Sequence, residues 1–520
     1  MENRFKEKLT QTEDFVISVE LVPTRGFIRK DFEKLIAFTE AAVEYGKIDV
    51  LSLTDNPGGN PRLAPDVLGL DILKKGMSPL VHLSCKDHNR NGLESRAFQL
   101  NRMGVENVLA LTGDYPVDGY QGVPKPSFDL DSVGMVRMLA EMNKGLKVPL
   151  PKPGKFQELE ATNFFIGACV SPFKKQRSEL LGQYLKLEKK IKNGAEFIIT
   201  QLGYDMRKYD ELLRYMKADN HNVPVVGYVY VLHRFVSRIM NQNELPGCVV
   251  TDELLEFVKK HGKADDKGKA AFLEFAAKQV AVFRGLGYRG AHIGGFNLSF
   301  EDKRKIIDTS EEIAGEWRSF VKEIRYPQTG EFFYFKADPE TGLNTDEPAE
   351  PGDRNRQIRL LLINYEMMKF IHARFFTPDT AGFKLARGVC SLLDKSPAAS
   401  QVFEKLEHAV KWLANKCQGC GDCSLAELAF LCPEAGCPKG MRNGPCGGSF
   451  DGICERQDRK CFWTKVIKRL DRDGELEKIK SGESIYCDAA LEDTSSWINF
   501  YLGRDHVKTG SEEEKEGKKE

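Results

Sequence analysis

At 520 residues, with Lys+Arg and Asp+Glu both 76, the chain has no formal net charge and so gives no electrostatic support for a nucleic-acid partner or an anionic membrane surface. The length exceeds what one small core organises and predicts two or three domains. The opening Met-Glu-Asn-Arg-Phe-Lys-Glu-Lys has no apolar signal core, and no long uncharged apolar run follows, so a cytoplasmic protein without a membrane span is expected.

The first strand candidate runs from Phe15 to Leu21, with Phe15, Ile17, Val19 and Leu21 on one side. It places Glu20 among apolar neighbours just before Pro23-Thr-Arg-Gly26. A buried carboxylate is costly unless paired or solvated, so Glu20 is either satisfied structurally or used as an acid. Asp31 is the expected cap of a helix carrying Phe32, Leu35, Phe38 and Ala42 at the helical period and ending at Gly46. Strand Asp49–Leu53 then exits into Thr54-Asp-Asn-Pro-Gly-Gly59, and His82 sits in strand Leu80–Ser84. The arrangement repeats as helix Leu93–Met103, Gly104, strand Val108–Leu111 and exit Thr112-Gly113-Asp114. It repeats again from Ser178, with Leu180, Tyr184, Leu187 and Ile191 on one face, then Gly194, strand Phe197–Ile199 and exit Thr200-Gln201.

Glycine after each helix suits the left-handed stop that a helix-to-parallel-strand connection needs. Further strands are expected at Phe164–Cys169, Val225–Leu232 and Ala291–Ile293. Repeated βα units over residues 1–310 predict a (β/α)8 barrel of the TIM type, with two smaller doubly wound domains as the alternative. In a barrel Glu20, Thr54, Asp114 and Gln201 converge on one mouth, at the C-terminal strand ends. Residues 311–400 read as a connector: Trp317–Ile324, a hairpin at Glu331–Phe335 turning at Asp338–Gly342, and an exposed linker at Thr345–Asn355. Helices are expected at Gln357–Ala373 and Ala399–Asn415, a cysteine-rich domain over 401–490, and a tail over 491–520 whose end, Glu512–Glu520, is a charged solvated run.

Cys85, Cys169, Cys248 and Cys390 are scattered, whereas the others crowd between Cys417 and Cys487. Without a secretion signal this favours a metal or iron-sulfur site over disulfides. The candidate ligands are Cys417, Cys420, Cys423, Cys432, Cys437, Cys446, Cys454 and Cys461. The spacing Cys417-x2-Cys420-x2-Cys423 fits a bacterial-ferredoxin [4Fe-4S] pattern, but the longer gap before Cys432-Pro does not. The same thiolates would also fill tetrahedral zinc sites.

Several segments together resemble the methylenetetrahydrofolate reductase family: Ser18-Val-Glu20-Leu-Val-Pro23, Ser52-Leu-Thr54, His82-Leu-Ser-Cys85, Leu109-Ala-Leu-Thr-Gly-Asp114 and Lys189 through Gln201. They follow the family's order over roughly residues 10 to 300. The resemblance implies a flavin, FAD or possibly FMN, that passes hydride to the one-carbon bridge of 5,10-methylenetetrahydrofolate. It implies Glu20 as general acid and Asp114 as the carboxylate near flavin and pterin. It also implies Gln201 as a folate or nicotinamide contact, Thr54, His82 and Gly113 at flavin or nicotinamide positions, and Lys190 facing the flavin phosphates. On residue type alone His82 is more often a satisfied core histidine, Lys190 is more often one of a solvated run, and Thr54 and Thr200 read as strand ends. The cysteine-rich segment resembles the C-terminal domain fused to such reductases and the MetV-type partner subunit of acetogen reductases.

Departures from the family pattern occur at Cys169-Val-Ser-Pro-Phe-Lys-Lys175, at Thr112, near Val236 and near Leu298. The expectation is a flavin-dependent reductase of one-carbon metabolism, oligomeric, reduced by NAD(P)H or by a ferredoxin-like donor through an iron-sulfur centre. One alternative is a pterin- or flavin-binding scaffold that docks onto an electron-transfer or methyl-transfer assembly. A weaker one is zinc-thiolate methyl transfer without flavin.

Overall fold

Eight short, largely buried strands close into a parallel barrel. They are β1 (Val16–Leu21), β2 (Val50–Leu53), β3 (Pro79–Ser84), β4 (Asn107–Leu111), β5 (Phe165–Val170), β6 (Phe197–Thr200), β7 (Val225–Val231) and β8 (Gly290–Gly295). Each pairs with its neighbours in chain order, and β1 closes the ring on β8 with Val16 opposite Gly290 and Ser18 opposite His292. The computed structural model describes residues 3–152, 154–350, 362–481 and 484–509. The chain divides into two compact units, 1–350 with 445–460, and 351–444 with 461–520. Among the described residues no helix is long and apolar enough to cross a membrane.

Alternation along the strands sorts the barrel interior into layers. At the N-terminal end Val16, Val50, Leu80, Leu109, Phe165, Phe197 and Val226 form an apolar floor, plugged by Phe5 and Leu9 from helix Arg4–Thr10. Phe5 meets Phe165 and Phe197 edge-on at 5.7 and 5.4 Å. Gly167 makes room for this packing, because a Cβ there would lie 2.2 Å from Cζ of Phe197. Above the floor the same alternation brings in Ser18, Ser52, His82 and His292, so the lumen turns polar towards the C-terminal rim.

The expected helices flank the barrel as Arg29–Tyr45, Arg90–Met103 and Arg177–Lys192, and Gly46 and Gly104 end the first two with φ of 73° and 83°. Asp31 is not the cap: Ile28, three residues earlier, caps a helix that begins at Arg29, and Asp31 sits in its first turn, where a carboxylate still favours the helix dipole. The connector hairpin pairs Phe335–Ala337 with Asn344–Pro348. The turn falls where expected, but Asn344–Pro348 is a paired strand rather than linker, with Asp346–Pro348 exposed as expected; Asn344 is buried, and its amide and side chain bond Asp210 at 2.9 and 2.8 Å. The linker beyond residue 350, the first residues of the helix expected from Gln357, and the tail Glu512–Glu520 lie outside the described residues.

In the second unit, helices Ala381–Leu393 and Pro397–Asn415 precede the cysteine-rich stretch. Phe383, Cys390, Ile498 and Tyr501 form a small core. None of the thirteen cysteines is in a disulfide.

Candidate active site and candidate metal centre

Glu20 is the penultimate residue of β1 and points into the barrel beside its C-terminal rim. Its Oε2 accepts the Tyr228 hydroxyl at 2.8 Å and lies 3.8 Å from Nε2 of His292. His292 Nδ1 is 2.9 Å from the Ser18 hydroxyl, and His82 Nε2 is 2.8 Å from the Ser52 hydroxyl. Lys303 donates to the backbone oxygen of Glu20 at 2.7 Å.

Burial pushes the Glu20 carboxyl up, but the hydrogen bond and charge of His292, followed by the Tyr228 hydroxyl, outweigh it, and the net pKa is below the ordinary value. Glu20 therefore rests as a carboxylate. Burial, then the charge of His292, lowers His82 to about 4, leaving it neutral. Burial, then the charge of Glu20, holds Tyr228 well above its ordinary range, so it stays a donor.

Asp114 lies on the same rim, just past β4. Its Oδ2 accepts from the Gly58 amide at 2.9 Å, tying the exits of β2 and β4 together. Arg96 steadies the β2 exit from behind, bonding Asp55 at 2.9 Å and Asp66 at 2.6 Å. Gly113 has φ of 86°, and a Cβ there would crowd Lys86 and Ser84 at 3.1 Å. Burial raises the Cys248 thiol to about 12, and after it the charges of Asp114, Lys174 and Glu20 act on it. Glu20 and Asp114 thus share the surroundings of one thiol.

Gln201 follows β6 at the mouth, with Oε1 on the Leu202 amide at 2.9 Å. Thr54 ends β2 with a buried hydroxyl that has no hydrogen-bond partner among the described residues, and Ser171 does the same after β5. His82 lies below the rim, in the Ser-His layer. The buried Lys190 ammonium donates to the Cys169 carbonyl at 2.6 Å, and burial lowers it to about 8.

Sequence reasoning missed Tyr228, His292, Lys303, Ser18 and Cys248. The alternation Val226, Tyr228, Tyr230 in β7 was a usable signal, since it marks a polar hydroxyl on a lumen-facing position.

Just past β2 and β5, Thr54 and Ser171 carry buried hydroxyls without a partner among the described residues, and Phe27, Tyr120, Phe235 and Phe296 are exposed on segments that follow strands, where aromatic faces can pack on a flat ring system such as a flavin.

In the second unit Cys417, Cys420, Cys423 and Cys432 line one hollow, together with Lys411 and Arg442. The Gly419 amide approaches Cys417 Sγ at 3.5 Å. Lys411 bonds Glu407 at 2.7 Å, and Arg442 bonds the Asp422 carbonyl at 3.0 Å. Each cation is also paired with a carboxylate of the same hollow, Lys411 with Glu407 and Arg442 with Glu434 at 2.9 Å. Among the described residues, the ligand groups drawn within 4.8 Å of one another are Glu188 with Asp219 and His221, and Asp422 with Asp505 and His506. Cys437 and Cys461 belong to the second unit, and Cys446 and Cys454 to the barrel unit.

A family profile described as methylenetetrahydrofolate reductase matches residues 4–310. A second, described as methylene-tetrahydrofolate reductase C terminal, matches 396–486. A probable methylenetetrahydrofolate reductase (NADPH) of Caenorhabditis elegans is 24% identical over 37% of this chain and 26% of its own length. Methylenetetrahydrofolate reductase 2 of Schizosaccharomyces pombe is 23% identical over 36% of this chain and 28% of its own. The chain thus spans about a quarter of the length of these curated relatives. Among solved structures, an uncharacterized Clostridium thermocellum protein that binds two copies of 5-methyl-5,6,7,8-tetrahydrofolic acid is 12% identical, covering 60% of this chain and 99% of that one, with a TM-score of 0.42.

Proposed function

Because the chain belongs to the methylenetetrahydrofolate reductase family, we propose that its barrel mouth reduces 5,10-methylenetetrahydrofolate to 5-methyltetrahydrofolate. The observation that carries this reading is a lumen carboxylate, Glu20, held by Tyr228 at 2.8 Å on the same rim as Asp114.

Thr54, Gly113, Ser171 and Asp114 are the residues that would hold a flavin, FAD or FMN. When bound, the flavin supplies hydride. Glu20 holds the proton that the folate N10 takes as the five-membered ring opens. Since Glu20 rests ionised, it must gain that proton in the loaded site, where substrate displaces water and raises a carboxyl by desolvation. Tyr228 keeps Glu20 oriented throughout. In this reading Asp114 and Gln201 bind the pterin by hydrogen bonds. Electrons reach the flavin from NAD(P)H or from a ferredoxin-like donor. For the second route we assign a [4Fe-4S] centre, with zinc as the alternative, to Cys417, Cys420, Cys423 and Cys432, which line one hollow of the second unit.

The test is anaerobic purification of the full chain with flavin, iron and zinc quantified on one sample, followed by turnover of methylenetetrahydrofolate with each donor. Bound flavin and turnover are expected. A flavin-free protein that leaves the substrate untouched with either donor would overturn the reading.

A further inference from the structure

A loop from the cysteine-rich stretch, residues 445–460, belongs to the barrel unit rather than to its sequence neighbours. Its anchors all go to segments that follow barrel strands. After β5, Lys174 is 2 % exposed and donates to the carbonyls of Gly447 and Ser449, each at 2.6 Å. Lys175 and Gln176 bond the Asp451 carboxylate at 2.7 and 3.1 Å. After β7, the carbonyl of Asn243 accepts from Gln457 at 3.2 Å. A Cβ on Gly247 would lie 2.9 Å from the Gly447 oxygen and 3.4 Å from Nε2 of Gln201. After β4, the Tyr115 amide donates to Oε1 of Glu455 at 3.1 Å, and the Arg456 guanidinium lies 4.4 Å from the centroid of the Tyr115 ring.

Tyr115 is the residue after Asp114. The dipeptide is held on one side by the β2 exit, where Gly58 bonds Asp114 at 2.9 Å and a Cβ on Gly59 would strike the Tyr115 carbonyl at 2.3 Å. Glu455 holds it on the other side. A bond from a backbone N–H to a carboxylate is charge-assisted and directional, so it fixes where the preceding side chain points. The Glu455 carboxylate is itself confined, because a Cβ on Gly448 would lie 1.9 Å from its Oε2.

We propose that residues 445–460 are a strap completing the barrel mouth, and that Glu455 is the positioning residue for Asp114. The inference rests on the reductase reading of the mouth. It predicts that catalysis by the barrel depends on a residue 340 positions away from the amide it holds.

The experiment compares full-length wild type with Glu455→Ala, Glu455→Gln and Glu455→Asp. Two readouts are taken: hydrogen exchange of the Tyr115 amide, and kcat and KM for methylenetetrahydrofolate. Glu455→Ala is expected to speed Tyr115 exchange and to lower kcat/KM roughly ten- to a hundredfold, about an ångström of misplacement costing the larger figure, while the melting temperature holds. Glu455→Gln, which keeps an acceptor oxygen, should recover most of both. Should the alanine variant not fold, Glu455→Asp, which keeps the charge but falls short of the amide, takes its place. Unchanged Tyr115 exchange, or faster exchange with wild-type kinetics, would overturn the positioning role. If wild type does not turn over, the reductase reading fails, and the strap is judged on FAD affinity: weaker binding by the alanine variant supports it and equal binding refutes it.

Discussion

The Tyr228 hydroxyl reaches Glu20 at 2.8 Å although a whole strand, β8, runs between β7 and β1. The contact crosses Gly294, where a Cβ would lie 2.7 Å from the Tyr228 hydroxyl and 3.0 Å from Oε1 of Glu20. An absent side chain thus lets the acid and its donor meet.

Gly294→Ala should therefore push the two apart without unfolding the barrel. Overpacking of this kind costs about 1–3 kcal/mol, while an ångström of misplacement costs roughly a hundredfold in rate. Steady-state kinetics beside thermal melts check this. A variant with wild-type kcat/KM would show that the Tyr228 contact is dispensable.

Glu20→Gln keeps the shape and a hydrogen-bonding oxygen but removes the proton. Flavin reduction by the donor should survive, and folate reduction should fall by about 10²–10⁴, as read by separate stopped-flow half-reactions. Equal loss in both halves contradicts the acid role. In wild type the acid's pKa seen in kcat/KM, which reports free enzyme, should lie below the ordinary carboxylate value, and that seen in kcat should be higher.

His82 is neutral in the folded barrel, with its pKa lowered to about 4. Unfolded, it titrates near its ordinary value of about 6.5. As pH falls through that window the unfolded chain takes the proton first, so the stability tied to neutral His82 is complete above the unfolded pKa and gone by the folded one. The shift corresponds to about 3 kcal/mol. Melting temperature against pH should slope more gently in His82→Asn than in wild type between those limits, and parallel curves would count against a buried neutral imidazole.

Cys420→Ser removes one of the four sulfurs around the hollow in the second unit. Iron and acid-labile sulfide should both drop sharply in the anaerobically purified variant, with flavin content unchanged. Retained iron, or zinc alone in wild type, would remove the cluster from the proposal.

The sequence by itself determined the strands, the glycine stops and the presence of carboxylates at strand ends, because alternation and helical period are local properties written residue by residue. It also marked Cys417, Cys420 and Cys423 by spacing. Only the tertiary structure decided which groups meet. Barrel closure set Tyr228 and His292 around Glu20, and packing brought the Lys190 ammonium onto the Cys169 carbonyl of β5. Packing also drew residues 445–460 out of the cysteine-rich stretch onto the strand exits. Such encounters depend on strand order and on gaps such as Gly294, which no short window of sequence can encode.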